Sequence, residues 1–214
     1  MEYVKVCGLK DIKHVELCFE NEADAVGFIY NVPSSPRNLD KSKLMNLLKN
    51  IPKNLLTVIV LKPKKILELV SIMNEIDVNL YQIHSSFENQ ELDNIPIDLK
   101  NKIILALKVN QSNKVNIIKK IKRYHDQFYA FLIDNSEGHG TEFNFNIINS
   151  ILNNADRARI IIAGGINIDN IEKIMKDFNP YGIDVSSSLE YEKGEKDPQK
   201  IKDFLNKIKE LKKN

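Results

Sequence analysis

The chain has 214 residues, of which 43% are hydrophobic and 28% charged, and a formal net charge of +2; such a chain can bury a core unaided and has no pull toward nucleic acid. No apolar run nears the roughly 18 residues of a membrane span, and no secretory signal opens it, so the expected compartment is the cytoplasm with no membrane partner. Cys7 and Cys18 form no disulfide framework and sit in no metal-ligand spacing, so no metal is expected.

In chain order, β-like apolar runs alternate with helical patterns. YVKVCG (3–8) precedes DIKHVELCFENE, AVGFIY (25–30) leads through NVPSSPRN to DKSKLMNLLKN, and LLTVIVL (55–61) precedes KKILELVSIMNEI. NLYQIH (79–84) precedes an irregular acidic stretch, IILALKV (103–109) precedes SNKVNIIKKIKRYH, and AFLID (130–134) leads through a glycine-containing loop to FNIINSIL. RIIIAGG (159–165) precedes NIDNIEKIMKDF, and YGIDVSS (181–187) precedes a lysine-rich tail whose amphipathic spacing reads as a solvated helix face. Eight strands spaced about 25 residues apart, most of them continuously apolar, predict a parallel sheet covered on both faces. In a chain of this length the pattern reads as one (β/α)8 TIM barrel spanning residues 1–214, with a doubly wound open sheet as the alternative.

A barrel of this kind carries its active site at the C-terminal ends of the strands. Alternation along the first strand puts Lys5 and Cys7 on one face and Val4 and Val6 on the other. With the valines toward the helices, Cys7 points into the barrel, where it is either packing or a thiol whose charged form the Lys5 ammonium favours. Asp134 ends the sixth strand, three places around the ring from the first. It is either the cap of a following turn or an acid facing Cys7 across the mouth, a pair suited to moving protons at neighbouring sugar atoms. Gly164 and Gly165 after strand 7, with Ser186, Ser187 and Ser188 after strand 8, offer backbone and hydroxyl donors where barrels of this kind hold phosphate. Arg37, between Pro33 and Pro36, presents a planar fork suited to a carboxylate or is an exposed loop residue. Gln82 and His84 are inward on strand 4, as pocket lining or as hydrogen-bonded interior groups. In a closed barrel Asp184 on strand 8 lies beside Lys5 and can position its ammonium.

Together these residues resemble the phosphoribosylanthranilate isomerase family. The matching pieces are KVCGLKD, ADAVGFIY with the SPR after it, QIH, LID, IAGGIN, and DVSSSLE with the later KDP, in the same order along essentially the whole chain. The resemblance implies an enzyme of tryptophan biosynthesis that performs an Amadori rearrangement of N-(5-phosphoribosyl)anthranilate. Cys7 falls on the general base, Asp134 on the general acid, Arg37 on the arginine that meets the anthranilate carboxylate, and Gly164, Gly165, Ser186 and Ser187 on the phosphate site. Gln82, His84 and Asp184 complete the expected substrate-binding set. The implied partner is a small phosphosugar, with no cofactor, and monomer and homodimer both stay open. The rivals are another phosphosugar isomerase barrel, which would place aspartate at position 7 or require its own catalytic lysines, and a non-catalytic phosphate-binding barrel indifferent to Cys7 and Asp134. Three positions depart from the family pattern: Ser85 after QIH, EGHG with His139 after strand 6, and Ser188 where glycine is usual. Ser188 matters if that backbone needs positive φ.

Overall fold

A computed structural model describes residues 1–134, 145–155 and 157–213. Its eight principal strands are β1 (Tyr3–Cys7), β2 (Ala25–Tyr30), β3 (Leu56–Leu61), β4 (Leu80–His84), β5 (Ile103–Lys108), β6 (Ala130–Asp134), β7 (Ile160–Ala163) and β8 (Gly182–Val185). All pair in parallel with their sequence neighbours, and β8 pairs back onto β1, which closes the barrel and excludes the open sheet. The two-residue strand Asn38–Leu39 adds to the end of β2.

The connections are α1 (Ile12–Glu20), α2 (Lys41–Leu48), α3 (Ile66–Glu75), two short helices α4 (Asn89–Asp93) and α5 (Ile97–Lys100), then α6 (Lys114–Tyr124), α7 (Phe145–Leu152), α8 (Ile171–Phe178) and α9 (Pro198–Lys213). Their starts follow capping chemistry. Asp11 and Asp40 accept the free amides of Lys13 and Lys43, and Glu88 and Glu91 form a capping box, which orders the acidic stretch that has no helical period of its own. α8 stops at Asn179, whose φ of 39° is left-handed.

Alternation along the strands sorts the side chains into two cores. Val4, Val6, Phe28, Ile59, Ile83, Leu105, Ile133 and Ile183 face outward into the layer shared with the helices. Tyr3, Val58, Leu80, Ile104, Leu132 and Ile161 fill the lower barrel. Below them Tyr3 stacks on Tyr181, and Arg159 lies over the rings of Tyr129 and Tyr181 at 5.1 and 5.5 Å, sealing the N-terminal end. Above them the interior turns polar, with Lys5 at 0%, Gln82 at 2% and Asp184 at 8% exposure.

Beyond β8 the chain does not run straight into the tail helix. Ser187–Leu189 makes a 3-10 turn, and Glu190–Glu192 pairs antiparallel with Glu195–Lys196 before α9 begins. Ser188 sits inside that turn and is not among the residues with positive φ, so a side chain is accommodated where glycine is usual. His139 lies outside the described residues.

Candidate active site

The C-terminal ends of the strands surround a cavity of about 250 Å³. Cys7, Arg37, Gln82, His84, Asp134, Gly164, Gly165, Asp184, Ser186 and Ser187 all line it, whereas Ser188, also offered as a donor, opens onto a separate pocket beside α9. A larger groove of about 590 Å³ at the opposite end, lined by residues such as Asp77, Asn79 and Lys102, contains none of them.

Cys7 and Lys5 share the inner face of β1. The Lys5 ammonium is wholly buried and meets Asp184 Oδ1 at 2.9 Å, the contact that barrel closure and the Lys5–Asp184 register make available. Gly27 leaves them room: a Cβ there would lie 2.9 Å from both Cys7 Sγ and Lys5 Nζ. Burial and, less strongly, the Asp184 carboxylate push the Cys7 thiol up, while Lys5, and more weakly Lys196, pull it down; the upward influences win. Lys5 therefore opposes the rise in the thiol's pKa without reversing it. Burial also works against the Lys5 charge, but Asp184 and Cys7 outweigh it and hold its pKa above the ordinary value.

On the far wall, Asp134 closes β6 half-buried, in register with Lys108 and Ala163. His84 is pushed toward the neutral form by burial, against the upward pull of Asp134. Its Nε2 meets the Gln82 amide nitrogen at 2.9 Å, which makes Gln82 the donor and places the imidazole proton on Nδ1. That leaves Gln82 Oε1 buried without a partner among the described residues, an acceptor inside the cavity wall.

Gly164 and Gly165 both have positive φ, 83° and 71°. A Cβ on Gly165 would meet nothing within 4 Å, so this backbone borders open space. Ser186 donates through Oγ to the Cys7 carbonyl, tying the loop after β8 to the end of β1. Gly8, with φ of 80°, lies under both loops: a Cβ there would come within 2.5 Å of Arg37 Cδ and 3.3 Å of Ser186 Oγ.

Across these loops the chain matches the family model of N-(5'-phosphoribosyl)anthranilate isomerase over residues 4–207. The chain belongs to that family. A relative of the same name from Listeria innocua is 31% identical over 94% of this chain and 95% of its own. The solved isomerase from Thermotoga maritima superposes with a TM-score of 0.80 at 25% identity, covering 98% of this chain and 100% of that one. A solved phosphoribosyl anthranilate isomerase in complex with reduced 1-(o-carboxyphenylamino)-1-deoxyribulose 5-phosphate superposes with the same score, identity and coverage. The chain is thus an isomerase of the tryptophan-biosynthetic class on a TIM barrel.

In this isomerase one part of the site goes beyond the sequence reading. Arg37 is neither a free fork nor an exposed loop residue. Its Nε and Nη2 donate to Glu190 Oε1 and Oε2 at 2.6 and 2.7 Å. Glu190 also accepts from Lys196 Nζ at 2.8 Å and from the Gly194 amide at 3.0 Å. Burial alone would raise the Glu190 pKa, but these three donors bring it down to about 2. Lys196 has its own pKa lowered by burial despite Glu190, and it donates onward to the Ser186 carbonyl at 2.9 Å. Glu190 and Lys196 close the motif pieces DVSSSLE and EK before DP, yet a charge-rich EYEKGEK segment reads as solvated loop; only the folded hairpin shows both to be buried.

Proposed function

We propose that the chain converts N-(5-phosphoribosyl)anthranilate to 1-(2-carboxyphenylamino)-1-deoxyribulose 5-phosphate, with Cys7 as general base and Asp134 as general acid. The observation that carries this reading is the single cavity shared by a thiol and a carboxyl on facing walls, lined as well by the glycine pair after β7, the serines after β8 and an arginine. The Asp134 carboxyl protonates the furanose ring oxygen. The C1–O4 bond breaks as the anthranilate nitrogen lone pair forms the Schiff base. The Cys7 thiolate then removes the C2 proton, and the enolamine gains a proton at C1 and loses one from the C2 hydroxyl to become the ketone, so the carbonyl oxidation level moves from C1 to C2 with no external oxidant. The iminium formed in the first step acidifies the C2 proton, which places acid before base.

Binding follows the same layout. The backbone at Gly164 and Gly165, together with Ser186 and Ser187, receives the phosphate, where left-handed glycines let amides approach an anion. Arg37 receives the anthranilate carboxylate. Gln82 Oε1, unpartnered in the wall, accepts from a sugar hydroxyl, and neutral His84 completes that wall without adding charge. Asp184 acts through Lys5, fixing its ammonium beside the thiol.

The test follows the loss of phosphoribosylanthranilate fluorescence. Wild type turns the substrate over, while Cys7→Ser and Asp134→Asn each lose at least about 10²-fold in kcat. An inactive wild type overturns the assignment, and active variants overturn the two roles.

A further inference from the structure

We infer that Glu190 is a positioning residue that sets which edge of Arg37 meets substrate, an inference that rests on the reading of Arg37 as the carboxylate receiver. A guanidinium has two edges able to grip a carboxylate in bidentate fashion, the side edge of Nε and Nη2 and the end edge of Nη1 and Nη2. Glu190 takes the side edge with both oxygens. With the side edge taken, the end edge is the one left to Arg37 for a ligand in the cavity it lines.

The hairpin holds this arrangement from behind. Glu190 is pinned by Lys196 Nζ and the Gly194 amide, and the Glu190 and Lys196 side chains are 4% and 1% exposed. Charge also matters. Arg37 alone with Glu190 is neutral as a pair, and an anion gains little from a neutralised guanidinium. Lys196 restores a net charge of about +1 to the three groups, which a carboxylate then completes. Lys196 donates to the Ser186 carbonyl and hydroxyl as well, so the same buried ammonium supports the loop assigned to phosphate. Glu190 is therefore a device for specificity toward an anionic aromatic amine, acting through Arg37 without touching substrate.

The experiment compares two ligands by calorimetric titration: reduced 1-(o-carboxyphenylamino)-1-deoxyribulose 5-phosphate and its anilino counterpart lacking the ring carboxylate. In wild type the carboxylate ligand binds at least about tenfold tighter, the worth of a charge-assisted contact. In Glu190→Gln that preference falls to about threefold or less, while affinity for the anilino ligand stays within about threefold of wild type. Should Glu190→Gln not fold, Glu190→Asp makes the same comparison, because it keeps the charge that Lys196 needs and withdraws the fork from Arg37. Equal weakening of both ligands means a merely structural role and overturns the inference, as does an undiminished preference. A wild type that binds neither ligand fails the functional reading itself, a separate outcome.

Discussion

Replacing Asp184 by asparagine leaves the Lys5 ammonium, at 0% exposure, without its anionic partner. Breaking a buried pair from one side costs about 3–5 kcal/mol, but lysine has an escape: it can enter the folded state neutral. That route costs about 1.36 kcal/mol for each pH unit below its ordinary pKa of 10.5. At pH 7.5 the ceiling is therefore about 4 kcal/mol, and at pH 9.5 about 1.4 kcal/mol. In the wild type the Lys5 pKa is raised, so its contribution is complete below 10.5 and lost only as pH rises through the folded value. Between pH 7.5 and 9.5 this group gives the wild type no slope, and the difference between the proteins shrinks by about 2.7 kcal/mol. The assay is urea denaturation at both pH values, in a Cys7→Ser background so that the thiol does not titrate. Read in a parallel thermal melt at pH 7.5, a loss of about 4 kcal/mol lowers Tm by roughly 8–16 °C for a chain of this size. A destabilisation equal at both pH values refutes the reasoning, since Lys5 would then be staying charged on some other partner.

Two further outcomes bear on stability. Tyr3 Oη is buried and finds no hydrogen-bond partner among the described residues, so Tyr3→Phe is expected to leave stability unchanged or raise it by about 1 kcal/mol in denaturant melts; a loss would reveal a bound water. Glu190, with its pKa brought from 4.5 to about 2, contributes stability above pH 4.5 that disappears as pH falls toward 2. Discounted for the solvent that reaches Arg37, this is on the order of 2 kcal/mol, so the stability gap between wild type and Glu190→Gln should close across that window in acid-denaturation curves.

The strands were legible because a closed parallel sheet is buried on both faces, which writes each strand as an apolar run such as LTVIVL or IILALK. Period-two alternation then put Cys7 beside Lys5 and Gln82 beside His84, and the ring order put Asp134 across from Cys7. Strand ends came out shorter than read: β7 stops at Ala163 and β8 at Val185, because Gly164 turns left-handed and Ser186 leaves extended geometry. The Arg37–Glu190 pair was not legible. Its members lie 153 positions apart, and they meet only because β1 sits between β2 and β8, which brings the loops after β2 and β8 over Gly8. Strands of three and two residues, as in the hairpin, are too short to show any period.

The balance at Cys7 was legible in sign but not in outcome, because a cation's pull and a burial penalty both depend on depth. That outcome bears on the proposed role of Cys7 as general base. A base works best with a pKa near the working pH, since a higher value removes more thiolate than its extra basicity returns. Burial takes Cys7 above that optimum, and Lys5 is the largest influence drawing it back. Lys5→Met should therefore move the thiol further up, not down. Iodoacetamide labelling across pH should show the apparent Cys7 pKa rising, and kcat at neutral pH should fall by more than kcat at alkaline pH. An unchanged thiol pKa would mean that Lys5 is held by Asp184 for packing alone, and that the thiolate owes its population to substrate or to Lys196.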